Sequence, residues 1–419
     1  MIAQSAARCI QRRPSRPKWL FRVMAIVCSL VVLEALSWLG LHLLNLRYPM
    51  DPMGAITPAS VNSFLDGTNR LWQYDADLGW TGRQNSRAGP INSLGARSRH
   101  EYHNLRHTIS AYGDSYTFCH GASVDDAWPT LLESRLNVGV LNFGGTGYGT
   151  DQALLCLEKQ YDRAPSSTVL LCIQPENINR VVSIFKGFYE SGFAPPKPRF
   201  ILKAGGMELF NPWKTPEAVR DILIDHPEKL LEMARRYDYW FGYGAALGAG
   251  APWQIRFPYS YRLAARVPFL YSRVRIAVTN RAAHTALYDP NCEAFAVMKA
   301  IILRFRAFAS AKGSNGLVVI LPPPRDIYRF AEHGELTYQS LHDFLNEERI
   351  PFTDLIEELA GEPDIPASFV NRSDHYSRKG SEIAAREIAA FLARENAVPR
   401  PTLSSGTPAR TTTTLPVSP

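Results

Sequence analysis

The 419-residue chain reads as an α/β protein, a three-layer α/β/α sandwich around a parallel central sheet. Apolar runs such as Thr168–Ile173 and Gly316–Leu321 lack the polar/apolar alternation of a half-exposed strand. Strands covered on both faces have that character, and they belong to parallel sheets. The runs alternate with helix-patterned stretches, the βαβαβ order of such a sheet. A third observation is that Gly113-Asp114-Ser115, Asn142–Gly149 and Pro175-Glu176-Asn177-Ile178 each follow a strand-like run. In an open α/β sheet, residues just past the strand ends line the crevice where ligands bind.

Residues 1–22 carry six basic and no acidic side chains, and 23–44 are almost wholly apolar. About 20 such residues cross a hydrocarbon core, and positive charge on the amino side places 1–22 in the cytoplasm and the rest outside. The expected location is therefore the inner membrane, single-pass, with the main domain periplasmic. A signal cut later, near Ala35 or Ser37, is the other reading. Glu34 interrupts the span, either as a tolerated carboxylic acid or as the mark of a partner. Residues 45–70 read as a linker and 71–397 as one domain. The tail, 398–419, is rich in Pro, Thr and Ser and is expected to be disordered.

Within the domain the order is a strand near Ile109, a helix over Trp128–Leu136, a strand at Val138–Leu141 and a helix over Gln152–Gln160. The strand Thr168–Ile173 follows, then a helix over Cys292–Ala311, a strand at Gly316–Leu321 and a last amphipathic helix, Arg378–Arg394. Between about 200 and 291 the pattern weakens and reads as an insertion.

The formal charge of +7 lies mostly before the span, and no cluster of basic residues interleaved with aromatics follows. Nucleic acid is therefore not an expected partner. The six cysteines show no metal-ligand spacing. Cys156 and Cys172 sit in apolar runs and are expected as buried thiols, and Cys119 as a packing residue rather than a second nucleophile. No His-Glu-x-x-His or dinucleotide-binding glycine pattern occurs, so neither a metal nor a cofactor is called for.

A serine nucleophile needs a base, and the oxyanion it creates needs donors. Ser115 follows the first strand, and Ser373-Asp374-His375 precedes the last helix. The ordered set resembles the serine, glycine, asparagine and histidine blocks of the SGNH/GDSL hydrolase superfamily, in its membrane-anchored bacterial form. Tyr74-Asp75, Leu78-Gly79-Trp80, Asn92–Gly95 and Arg97 resemble the lead-in of such proteins. The resemblance implies a flavodoxin-like sandwich in which Ser115 attacks and His375 is the general base. It also implies an oxyanion hole formed by the amides of Ser115 and Gly147 and the side chain of Asn177. The chain departs from the family in two places. The usual Gly-x-Asn-Asp is Pro175-Glu176-Asn177-Ile178 here, which leaves Asn179 as a rival to Asn177. The acid normally lies two or three residues before the histidine, where this chain has Ser373 and Arg372. Asp374, the one local acid, is then the candidate third member of a triad, and a Ser-His dyad is the alternative. Arg180, next to the asparagine block, reads as a grip on an anionic substrate or, the preferred reading, as a salt-bridged surface arginine.

The resemblance implies a serine esterase acting on a small ester or an acylated carbohydrate, such as an acetylated cell-surface or exported polysaccharide. An O-acetyltransferase using the same residues, partnered with envelope polysaccharide machinery, is a second reading. An inactive envelope assembly protein is a third. The fold alone does not choose among them.

Overall fold

A computed structural model describes residues 18–47, 56–68, 72–82, 90–98, 109–188, 195–244, 255, 257–265, 267, 283–370 and 374–398. The chain divides into two compact units.

The larger unit is built on five parallel strands: β1 (Ile109–Gly113), β2 (Val140–Gly144), β3 (Thr168–Ile173), β4 (Asn315–Ile320) and β5 (Phe352–Asp354). Their order in the sheet is β2-β1-β3-β4-β5. β1 therefore has a parallel neighbour on each side, with Tyr112 opposite Phe143 of β2 and Leu171 of β3. All residues of β1 and β3 are buried, which explains the lost alternation. Among its helices are α1 (Trp128–Leu136), α2 (Thr150–Gln160), α3 (Glu293–Ala311), α4 (Ile356–Ala360) and α5 (Arg378–Arg394). Ile109, Ala111, Leu170, Cys172, Leu317 and Val319 of the sheet form one apolar cluster with Trp128 and Leu132 of α1 and with Ile383, Ile388 and Phe391 of α5. Side chains alternate across a sheet, so the other buried positions of these strands face the opposite layer. That layer holds α2 and α3, which pack on β1, β3 and β4. The three-layer sandwich is thus observed.

Two antiparallel hairpins complete this unit, Trp72–Asp75 with Gly79–Gly82 and Arg199–Lys203 with Gly206–Phe210. Cys119, Cys156 and Cys172 are buried free thiols.

The second unit gathers the N-terminal region with 182–198 and 211–281. Its longest element is the helix Lys18–Arg47, of which Lys18–Leu44, with mean hydropathy 2.1, is long and apolar enough to cross a membrane. Residues Pro58–Leu65, inside the region expected as linker, form a helix capped by Thr57. Asp238 accepts hydrogen bonds from Ser183 Oγ (2.7 Å) and the Ile184 amide (2.8 Å), which ties 182–188 to the later helical segments. The segment before Lys18, expected to be cytoplasmic, and the tail from residue 399 lie outside the described residues.

Candidate active site

Ser115 stands two residues past the end of β1 and opens the single-turn helix Ser115–Phe118. Asp114 caps that turn, its carboxylate accepting from the Tyr116 amide at 2.9 Å. The first N–H groups of a helix have no intrahelical acceptor, so this geometry turns donors toward the space above the sheet. Close packing holds the turn down on β2: a Cβ on Gly144 would stand 2.2 Å from the Phe118 nitrogen. No residue other than glycine fits there without moving the serine turn.

His375 arrives from the segment before α5, and its Nε2 lies 2.8 Å from Ser115 Oγ. The ring stacks obliquely near Tyr116, with centroids 4.9 Å apart, and His120 is 5.3 Å away. Burial pulls the pKa of His375 down to about 4, and the neighbouring His120 and Arg180 add to the shift. At neutral pH the imidazole is therefore uncharged and able to accept a proton.

Gly147 lies on the turn between β2 and α2 with φ of +79°, a conformation open to glycine at no steric cost. The turn is held at both of its neighbours. Thr146 O accepts from the Trp80 indole at 3.0 Å, and Tyr148 O accepts from Arg180 Nη1 at 2.7 Å. The Tyr148 hydroxyl returns a bond to Trp80 O at 2.7 Å.

Asn177, in the short helix Pro175–Asn179 past β3, is fully buried. Neither atom of its amide makes a hydrogen bond of ordinary length, yet it lies near enough to Asp114 to favour that carboxylate's charged form. Asn179 is also buried. The Asn177 side chain helps lower the pKa of Asp114, the residue beside Ser115.

Asp374 behaves differently from the other candidates. It is exposed, and its main-chain carbonyl accepts a short hydrogen bond from the Tyr116 hydroxyl. His120 and Arg180 are the charged or titratable neighbours that lower the pKa of the His375 ring. Arg372 and Ser373, where the family would place its acid, lie outside the described residues.

Arg180 takes a role that spacing alone does not reveal. It is buried, its Nη1 is 3.5 Å from Asp114 Oδ2, and the same nitrogen binds Tyr148 O. One guanidinium thus joins the turn of Ser115 to the turn of Gly147, and its own amide bonds to Asn177 O at 2.9 Å. Asp114 is fully buried, and desolvation raises its pKa against the opposing pull of Arg180. Arg97, also buried, donates to Ala122 O at 2.7 Å and to Cys119 O at 3.3 Å, bracing the loop that carries His120. Burial pushes the Cys119 thiol up to about 12, so it stays protonated.

The sheet edge therefore gathers a serine, a neutral histidine, a left-handed glycine turn and a buried amide from the ends of three adjacent strands and the start of the last helix. No family model and no curated protein matches the chain. Among solved structures it is similar to a protein assigned to the G-D-S-L lipolytic family from Desulfitobacterium hafniense DCB-2. The identity is 11%, over 69% of this chain and 100% of that one, with a TM-score of 0.31. It is similar at 12% identity to the psychrotrophic esterase EstA from Pseudoalteromonas sp., in a structure inhibited by monoethylphosphonate, over 69% of this chain and 98% of that one, with a TM-score of 0.31. A lipase/acylhydrolase from Enterococcus faecalis matches at 14% identity over 69% and 96% of the two chains, with a TM-score of 0.34. At these values the likeness does not define an activity, which has to come from the side chains at the sheet edge.

Proposed function

We propose that this chain is a serine ester hydrolase of the SGNH/GDSL type, held at the membrane by its N-terminal helix with the sheet domain outside the cytoplasm. The observation that carries the reading is the 2.8 Å contact between Ser115 Oγ and a neutral His375 Nε2 at the end of β1. In the reaction His375 takes the hydroxyl proton as Ser115 attacks the acyl carbon. The tetrahedral oxyanion meets donors from Ser115 N–H, Gly147 N–H and the Asn177 amide. His375 then protonates the departing alcohol, leaving an acyl-Ser115, and water activated by the same ring releases the acid.

The substrate we propose is an acylated carbohydrate of the cell surface or an exported polysaccharide, with acetate as the group removed. An anchored domain outside the cytoplasm meets such esters directly. The test uses the full chain in membranes. A fluorophosphonate should label Ser115 in the wild type and not in Ser115→Ala, and a short-chain aryl ester should be turned over. Absence of labelling in folded protein would leave a binding role for the domain. Free acetate from an acetylated polysaccharide supports hydrolysis, whereas transfer of the acyl group to an added oligosaccharide would identify a transferase.

A further inference from the structure

Glu34 sits almost midway between Arg22 and Arg47, the charged residues that bracket the apolar run. At 1.5 Å per residue it lies about 18 Å from either. If the helix spans the bilayer, Glu34 is near its centre, where a lone carboxylate is poorly tolerated. The structure supplies its partner. The carboxylate accepts from the Tyr259 amide at 2.5 Å, from the Ser260 amide at 3.3 Å and from the Ser260 hydroxyl. These amides open the helix Tyr259–Ala264, and the first amides of a helix need an acceptor from elsewhere. Along the N-terminal helix the covered positions are Glu34, Ser37, Gly40, Leu41 and Leu44, one stripe at helical spacing, while the other faces are exposed. Gly40 leaves room for Leu263, whose Cδ2 a Cβ there would meet at 3.5 Å.

We propose that Phe257–Ala264 is an intramembrane element, docked on the N-terminal helix through Glu34 and facing lipid acyl chains with its outer side. This rests on the reading of Lys18–Leu44 as a membrane span. The lipid-facing groups are Phe257 and Tyr261, 70% and 66% exposed, as much as the apolar residues of the spanning helix itself. Backbone that turns within hydrocarbon is tolerated only where its polar groups find protein partners. Glu34 provides them at the point of entry. The anchor is then a helix with a second piece of the chain inserted beside it, and a cut near Ala35 or Ser37 would destroy it.

Spin labels test this in the full chain, in phosphatidylethanolamine–phosphatidylglycerol vesicles, with Cys9, Cys28 and Cys292 replaced by Ser. Labels are placed by Val31→Cys on the spanning helix, Tyr261→Cys on the inserted element and Lys203→Cys on the exposed hairpin. Relaxation by oxygen, which concentrates in lipid, is compared with relaxation by a water-soluble nickel chelate. The expected oxygen-to-nickel ratio at 261 is within about twofold of that at 31 and at least about tenfold above that at 203. Glu34→Ala should move 261 toward the aqueous ratio and leave 31 unchanged. An aqueous ratio at 261 with a lipid ratio at 31 overturns the inference while the anchor stands. Low access to both reagents at 261 means a protein cover and overturns it too. An aqueous ratio at 31 means the anchor reading itself has failed. An unchanged ratio at 261 in Glu34→Ala overturns the role given to Glu34.

Discussion

Two aspartates stand next to Ser115 and His375, and the protein treats them in opposite ways. Asp114, before Ser115, is fully buried, caps the serine turn and faces Arg180. Asp374, before His375, is exposed and meets the site through its carbonyl. The serine turn is held by side-chain charge, and the histidine turn meets it by main-chain contact and ring packing. On the described contacts, the Asp114 carboxylate caps the serine turn, while Tyr116 packs its ring beside His375 and binds the Asp374 carbonyl.

The comparison breaks first if the Ser115–His375 pair is not the reacting pair. His375→Ala should lower kcat/KM by at least about a thousandfold, the scale seen when a nucleophile's base is removed. It should also abolish fluorophosphonate labelling while the thermal midpoint stays close to that of the wild type.

Arg180→Met is expected next. It leaves the Asp114 carboxylate buried without its cation, which costs about 3–5 kcal/mol in stability. It also frees the Tyr148 carbonyl beside Gly147, and a drop of roughly a hundredfold in kcat is expected at saturating substrate. The double variant Asp114→Asn/Arg180→Met removes the orphaned charge, so it should recover most of the thermal midpoint and little of kcat. Recovery of both would show that Arg180 serves stability alone.

Tyr116→Phe tests the base side. Losing the hydroxyl that holds the Asp374 carbonyl loosens the His375 turn. About a tenfold loss in kcat, roughly 1.4 kcal/mol in the barrier, is expected, with unchanged KM.

How far these arrangements are legible in the chain differs by element. Uniform apolar runs announce β3 and β4, because burial on both faces leaves its mark along nearly the whole strand. Ser115 and His375 are legible because each lies next to a turn that the strand order brings to one edge. Arg180 is not, since its partners come from other strands: Tyr148 is 32 residues away, and Asp114 is farther still. Spacing leaves it readable as a surface arginine. Tyr116 binds a carbonyl 258 residues later, a contact with no sequence signal because any residue supplies a carbonyl. Glu34 is conspicuous as a charge in an apolar run, yet its partners 225 residues on are ordinary backbone amides.

The smallest expected effect is the sharpest test of the contrast. If Asp374 oriented the imidazole through its carboxylate, Asp374→Asn would invert the donor pattern at the ring and cut turnover by orders of magnitude. With its carbonyl as the contact, the substitution leaves that contact intact, and a change in kcat of less than about threefold is expected. The acid limb of kcat/KM gives an independent reading. Protonating His375 removes the base, so activity rises with pH through the pKa of the free-enzyme imidazole, about 4 instead of the usual value near 6.5, and is level at neutral pH. Burial, His120 and Arg180 set that value, so Asp374→Asn should leave the limb where it is, whereas Arg180→Met should move it upward by removing a nearby positive charge. A limb that shifts down in Asp374→Asn would mean that the carboxylate had been stabilising the imidazolium, and the two aspartates would then be partners of the same kind.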